Sequence, residues 1–170
     1  TMTCISLIGM PAVGKSTVGV LLAKALGYDF MDTDLLIQVK AQRTLAQILA
    51  QDGFLALREI EADVIATVQC SRTVIATGGS AVYAGSGMAH LRNLGPAVYL
   101  RASVNVLQQR IGDLKTRGVA AAADATLDSI LAERVPLYEE CADLTIDADQ
   151  SIQTVLTNLL SALSIHTGWA

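Results

Sequence analysis

Short apolar runs alternate along the chain with longer stretches in which apolar residues return every three or four positions. Ile5 to Gly9 is apolar until glycine and proline break it, the pattern of a buried strand ending in a loop. From Lys15 to Leu26, Val18, Leu21, Leu22, Ala25 and Leu26 recur at helical spacing, and Gly27 supplies a stop. Tyr28 to Met31 reads as a second strand. Asp34 to about Gln51 reads as helix with a break near Thr44, and Gly53 to Val68 as another, carrying Arg58, Glu59, Glu61 and Asp63. Thr73 to Ala76 is a β-branched run that stops at Thr77-Gly78-Gly79. A helix over Gly87 to Leu94, a strand over Ala97 to Leu100 and a helix over Val104 to Leu114 follow. Lys115 to Ala125 has no period. Thr126 to Tyr138 reads as a helix in which Pro136 requires a kink or a new start. Leu144 to Asp147 is the last strand and Ile152 to Leu163 the last helix.

Five short apolar strands alternating with helices predict an α/β fold, a parallel sheet covered on both faces. Ligands in such sheets bind beyond the carboxyl ends of the strands. Gly9 onward, Asp32 to Asp34, and Gly78-Gly79 all fall at those ends. The 170 residues, without repeats or a linker-like segment, predict one domain over 1–170.

Composition narrows the functional classes. Hydrophobic residues make up 52% of the chain, yet no run approaches the roughly 18 to 20 apolar residues of a membrane span. The first residues show no basic segment or cleavage pattern, so no secretory leader and a cytoplasmic location are expected. A net charge of −4 without a basic run, and few aromatics, disfavour nucleic acid and point to a small ligand. Cys4, Cys70 and Cys141 are far apart and sit in apolar runs, so they are expected as free thiols in the core. His90 and His166 are isolated and are not expected to bind metal.

The chemistry is carried by Gly9-Met10-Pro11-Ala12-Val13-Gly14-Lys15-Ser16, which satisfies G-x-x-x-x-G-K-[ST] in full. Glycines let successive N–H groups point at phosphate oxygens, and the helix that opens beside them adds its positive end. Lysine at the seventh place reaches the β- and γ-phosphates, and the hydroxyl after it ligates magnesium. A nucleoside triphosphate with Mg2+ is therefore the expected ligand, and phosphoryl transfer the expected chemistry. In Asp32-Thr33-Asp34 one carboxylate can face the metal and the other an acceptor hydroxyl. The alternative for Asp34 is an N-cap of the helix that follows. Arg58 and Glu61 either form an exposed i, i+3 pair or serve an anionic acceptor, Arg58 gripping it and Glu61 holding Arg58. Gly78-Gly79 is a plain turn or a place where backbone approaches a ligand. The alanine-rich stretch around Arg117 resembles a mobile lid, which would exclude water from the transfer.

Together these residues resemble the shikimate kinases, small P-loop enzymes similar to nucleoside-monophosphate kinases. The likeness covers nearly the whole chain: the loop Gly9 to Thr17, Leu26-Gly27-Tyr28-Asp29-Phe30-Met31-Asp32-Thr33-Asp34, Arg58-x-x-Glu61, Ala76-Thr77-Gly78-Gly79, Val98-Tyr99-Leu100, and Arg134-x-Pro136-Leu137-Tyr138. It implies a three-layer sandwich around a sheet in the order 2-3-1-4-5, a lid at about 112–124, and ATP-dependent phosphorylation of the 3-hydroxyl of shikimate. Pro11, Ala12, Val13, Gly14, Lys15, Ser16 and Thr17 would hold ATP with Arg110 and Arg117, and Ser16 and Asp32 would serve Mg2+. Asp34, Arg58, Gly78, Gly79 and Arg134 would bind the acid; Lys15, Asp34 and Arg117 would carry catalysis. A monomer is expected. The chain departs from the family pattern at Ser80, where a third glycine is usual. It departs again after Arg117, where Gly118, Val119 and Ala120 replace proline and two leucines, and at Phe54 and Leu57, where glutamate and phenylalanine are usual. These departures surround the acceptor pocket and its cover, which leaves two other readings: a kinase of another small hydroxylated carboxylic acid, or a non-catalytic nucleotide-binding relative.

Overall fold

The computed structural model describes residues 3–112 and 117–167. Five strands, β1 (Ile5–Ile8), β2 (Asp29–Asp32), β3 (Thr73–Ala76), β4 (Ala97–Arg101) and β5 (Leu144–Asp147), form one sheet in the order β2-β3-β1-β4-β5. Every pairing is parallel. The hydrophobic runs explain that order. β1 and β3 are buried along their whole length, and β4 up to Leu100, so both sheet faces are covered there; the half-polar β2 and β5 take the edges.

The helices are α1 (Lys15–Leu26), α2 (Thr33–Ala41), α3 (Leu45–Asp52), α4 (Phe54–Ala66), α5 (Gly85–Leu94), α6 (Val104–Ile111), α7 (Leu127–Cys141) and α8 (Ile152–Thr167), with a 3-10 turn at Ala81–Tyr83. The break expected near Thr44 is real. Thr44 accepts from the Gln47 amide at 3.2 Å while Gln47 accepts from the Thr44 amide at 2.9 Å, a capping box that starts α3. Pro136, in contrast, neither stops nor restarts α7. Pro136 and Ala132, whose carbonyl loses its partner, are both exposed, so water can satisfy that carbonyl. Of the expected helix to Leu114, the structure describes the part to Ile111; residues 113–116, which begin the expected lid, lie outside the described residues.

The main core lies around the sheet. A second, smaller cluster joins Ile37 of α2, Ile48 of α3, and Leu57 and Val64 of α4 to Ala120. It fixes α4, and therefore Arg58, beside the carboxyl ends of β2 and β3. The thiols are free, Cys4 buried and the other two half-buried. His90 is occupied structurally, its Nε2 lying 2.6 Å from the Val68 carbonyl. Among the described residues no helix is long and apolar enough to cross a membrane.

Candidate active site

The loop joining β1 to α1 turns on Gly9, whose φ is 146° and where a Cβ would lie 2.7 Å from the Leu100 carbonyl oxygen. Ala12 takes φ 66°, a left-handed conformation that costs a non-glycine residue about 1–2 kcal/mol. Turns of this kind gather N–H groups into an anion cradle, and α1 begins directly behind it with no acidic residue in its first turn. Lys15 is buried at the mouth of that helix, its Nζ donating to the carbonyls of Gly9 at 2.6 Å and Met10 at 2.7 Å. Burial lowers its pKa to about 8, against the pull of the Asp34 carboxylate.

Ser16 Oγ donates to Asp32 Oδ2 at 2.8 Å. A hydroxyl and a carboxylate oxygen beside a phosphate cradle suit a hard cation that takes its other ligands from phosphate and water. Asp32 also caps α2, its Oδ1 accepting from the Asp34 amide at 2.9 Å. The capping role open to Asp34 from sequence therefore belongs to Asp32. Asp34 lies inside the first turn of α2 instead, with its carboxylate in the cavity wall. Burial first, and the Asp32 charge second, push it up to about 6, with Lys15 acting in the other direction.

Arg58 and Arg134 come from different helices and converge on one atom. Arg58 donates to the Ala120 carbonyl through Nε at 3.2 Å and Nη2 at 3.0 Å, and Arg134 donates to it through Nη2 at 2.9 Å. Arg134 is only 1% exposed, and its buried Nε has no hydrogen-bond partner. Two guanidinium groups that share one oxygen acceptor are suited to an anion. Glu61 does not hold Arg58, as the spacing suggested, and the two form no exposed pair. Glu61 is 2% exposed and accepts a hydrogen bond from the hydroxyl of Ser80. Burial pushes it up to about 7, moderated by that bond. The i, i+3 offset leaves Arg58 free to reach Ala120 while Glu61 turns toward the strand β3 turn.

That turn is a close approach and not a plain one. A Cβ on Gly78 would lie 2.3 Å from Glu61 Oε2 and 2.8 Å from Asp34 Oδ1; one on Gly79 would lie 2.7 Å from Pro11 Cδ and 2.9 Å from Arg134 Nη1. Only bare backbone fits between the loop, the acids and the arginine. Tyr138 Oη fixes it further, donating to the Gly79 carbonyl at 2.5 Å.

These groups enclose a cavity of about 370 Å3. Of the residues expected from sequence, Pro11, Ala12, Gly14, Lys15, Ser16, Thr17, Asp34, Gly78, Gly79, Arg110, Arg117 and Arg134 line it. Val13 does not; its side chain is core, and its carbonyl accepts from Arg110 Nη1 at 3.3 Å. Asp32 and Arg58 stand just behind the wall, linked to it through Ser16 and Ala120. The stretch around Gly118 is closely packed in this conformation. Residues 118–120 are buried, and a Cβ at Gly118 would lie 2.5 Å from that of Leu45, so the small residues serve tight docking on α3. Sequence reasoning missed Ser80 as a partner of Glu61, Thr77 and Leu57 as cavity walls, and the Ala120 carbonyl.

A sequence profile described as shikimate kinase matches residues 11–164. Shikimate kinase 2 of Yersinia enterocolitica (serotype O:8 / biotype 1B) is 38% identical over 166 residues, 94% of this chain and 95% of that protein. Shikimate kinase 2 of Serratia proteamaculans is 37% identical, with 96% and 97% covered. Among solved structures, the shikimate kinase of Acinetobacter baumannii in complex with shikimate superposes with a TM-score of 0.86 at 30% identity, covering 99% of this chain and 96% of that one. That of Aquifex aeolicus gives 0.80 at 27% identity, with 96% and 98% covered. The phosphate loop, Asp34 and Arg134 line one cavity, and on the profile and relatives it matches, this chain belongs to the shikimate kinase family.

Proposed function

We propose that this chain transfers the γ-phosphoryl group of ATP to the 3-hydroxyl of shikimate, giving shikimate 3-phosphate and ADP. The carrying observation is the convergence of three N–H donors from Arg58 and Arg134 on one oxygen, beside the cavity that the phosphate loop also lines. Two guanidinium groups aimed at a single oxygen form a carboxylate fork. The Ala120 carbonyl occupies that fork in this structure, so the acid must take its place or share it.

The remaining roles belong to the same proposal. The loop from Pro11 to Thr17 cradles the phosphates, with Arg110 beside the base and Arg117 reaching from the lid segment over the cavity. Ser16 and Asp32 would hold Mg2+, which neutralises charge on the transferring group when bound. Asp34 accepts the proton of the 3-hydroxyl as its oxygen bonds to the γ-phosphorus. The bond from that phosphorus to the β,γ-bridging oxygen breaks, and the electron pair leaves with ADP. Lys15 meets the charge that grows on the γ-phosphoryl oxygens. The reading includes a monomer working as a single domain over 1–170 in the cytoplasm. Ser80 does not argue for a different acid, because its hydroxyl is already spent on Glu61.

A coupled ADP-release assay across shikimate, quinate, gluconate and homoserine tests the assignment. Turnover with shikimate well above the other acids is expected. Turnover only with another acid would reassign the acceptor, and nucleotide binding without turnover on any acid would make this a non-catalytic relative. The fork has its own test. Arg58→Ala leaves an anionic group unpaired in a partly dry pocket, a loss on the order of 2–5 kcal/mol. That corresponds to a fall of roughly 30- to several-thousand-fold in kcat/KM for the acid, while the KM for ATP stays within about twofold. Unchanged acid kinetics in this variant would remove Arg58 from the carboxylate site.

A further inference from the structure

Arg58 and Arg134 are like charges brought onto one oxygen, and something must hold them there without cancelling them. A carboxylate could do so, but it would repel the acid that the fork is to receive. The buried carboxylate that acts on Arg134, that of Glu61, is hydrogen-bonded to Ser80, and aromatic rings stand against both guanidinium groups. The Arg58 guanidinium carbon stands 3.7 Å from the centroid of the Tyr83 ring and 5.0 Å from that of Phe54. The Arg134 guanidinium carbon is 5.5 Å from the Tyr83 centroid. The face of an aromatic ring carries partial negative charge and attracts cations at these distances without being an anion.

Tyr83 is itself fixed. It ends the 3-10 turn that follows Gly79 and Ser80, held by Ala81 N–H to the Gly78 carbonyl at 3.2 Å and Tyr83 N–H to the Ser80 carbonyl at 3.1 Å. At the far end of the ring its hydroxyl donates to Glu133, the neighbour of Arg134 on α7. That bond leaves electron density on the ring and strengthens its hold on a cation. Burial, then the Glu133 carboxylate, raise the phenol above its ordinary value, so it stays a protonated donor. Phe54 stands four residues before Arg58 on α4, on the same helix face.

We propose that Tyr83 and Phe54 are positioning residues for the acceptor's carboxylate: their rings set the angle at which Arg58, and through Tyr83 also Arg134, meet the acid. The inference rests on the reading of those arginines as the acid fork. It makes acceptor affinity depend on two aromatic side chains that need not touch the acceptor.

Steady-state kinetics on Tyr83→Leu, Tyr83→Phe and Phe54→Leu, run beside Arg58→Ala, test it. Tyr83→Leu should raise the KM for shikimate about tenfold, with kcat and the KM for ATP within about twofold. Tyr83→Phe keeps the ring and should stay within about threefold of the parent, and Phe54→Leu should raise the acid KM by about threefold to fivefold. Three results overturn the proposal: an acid KM within twofold of the parent in Tyr83→Leu; a loss in Tyr83→Phe as large as in Tyr83→Leu; or a parallel fall in kcat, ATP affinity and melting temperature, the mark of a purely structural role. Should Tyr83→Leu not fold, an unchanged acid KM in Phe54→Leu overturns it. If Arg58→Ala also leaves the acid KM unchanged, the fork reading itself fails. If Arg58→Ala raises it and the ring variants do not, only the present inference fails.

Discussion

Replacing Lys15 with alanine is expected to lower kcat by about 10²- to 10³-fold while weakening MgATP binding far less, the range found for removing one preorganised charge-stabilising donor. The asymmetry follows from how the loop is built. Phosphate binding draws mainly on the backbone cradle and the start of α1; the lysine side chain touches that cradle only through the Gly9 and Met10 carbonyls. The ammonium group is different: it is a full charge in a buried position, where field effects are strong. Burial alone would push its proton off, and the nearby Asp34 carboxylate partly restores it. Bound phosphate would restore it further, so the cost of burying Lys15 is met most fully when negative charge on the transferring group is greatest. Stabilisation that grows toward the transition state appears in kcat and not in affinity. Isothermal calorimetry with MgATP and single-turnover phosphoryl transfer on the same sample separate the two quantities. A variant with kcat within tenfold of the parent would sink the assignment, whatever its affinity.

What could be read from the sequence divides along a physical line. The loop around Lys15 was legible because its chemistry lies in backbone conformation, and the spacing of Gly9, Gly14 and Lys15 dictates that conformation locally. The sheet was legible for a similar reason: the four-residue runs at Ile5 and Thr73, apolar but for Ser6 and Thr73, have nowhere to sit except between covered faces. The break near Thr44 was legible as well, and the capping box that makes it joins residues three apart. Side-chain partners on distant elements were not legible. Arg58 finds its acceptor 62 residues away, and Glu61 finds Ser80 across the gap between α4 and the end of β3. Helical spacing could say only that Arg58 and Glu61 share a helix face. Asp34 gave up the cap to Asp32 because both stand at the helix start, and two residues of difference in where α2 begins decide which of them caps it. Composition alone does not separate freedom from close packing at residues 118–120. In this conformation the small residues there permit the close approach of a segment to α3.

Asp34→Asn should abolish useful turnover and at the same time stabilise the protein at high pH. The substitution keeps size and shape but removes a proton acceptor, so kcat should fall by about 10²- to 10⁴-fold, the usual weight of a positioned general base. In the parent, kcat/KM should rise with pH to a plateau above about 6 as Asp34 ionises, and that limb should be missing from the residual activity of the variant. The stability effect has the opposite sign. Folding raises the Asp34 pKa from 3.8 to about 6, so the folded chain holds this proton more tightly than the unfolded one. Stability from this group is present in full below about 4 and is lost as pH rises toward 6; above that, the ionised carboxylate is a standing cost. Burial is the main cause, and Lys15 offsets only part of it. A rise of about two units corresponds to roughly 3 kcal/mol at most. For a domain of this size that is a gain of several degrees in Tm, about 3 to 8 °C at pH 8, shrinking to nothing near pH 4. Differential scanning calorimetry of parent and variant at both pH values reads it directly. Equal Tm at pH 8 would mean that Asp34 is solvated and relaxed in the folded enzyme, and a carboxylate in that condition has no reason to titrate near 6 or to serve as the base.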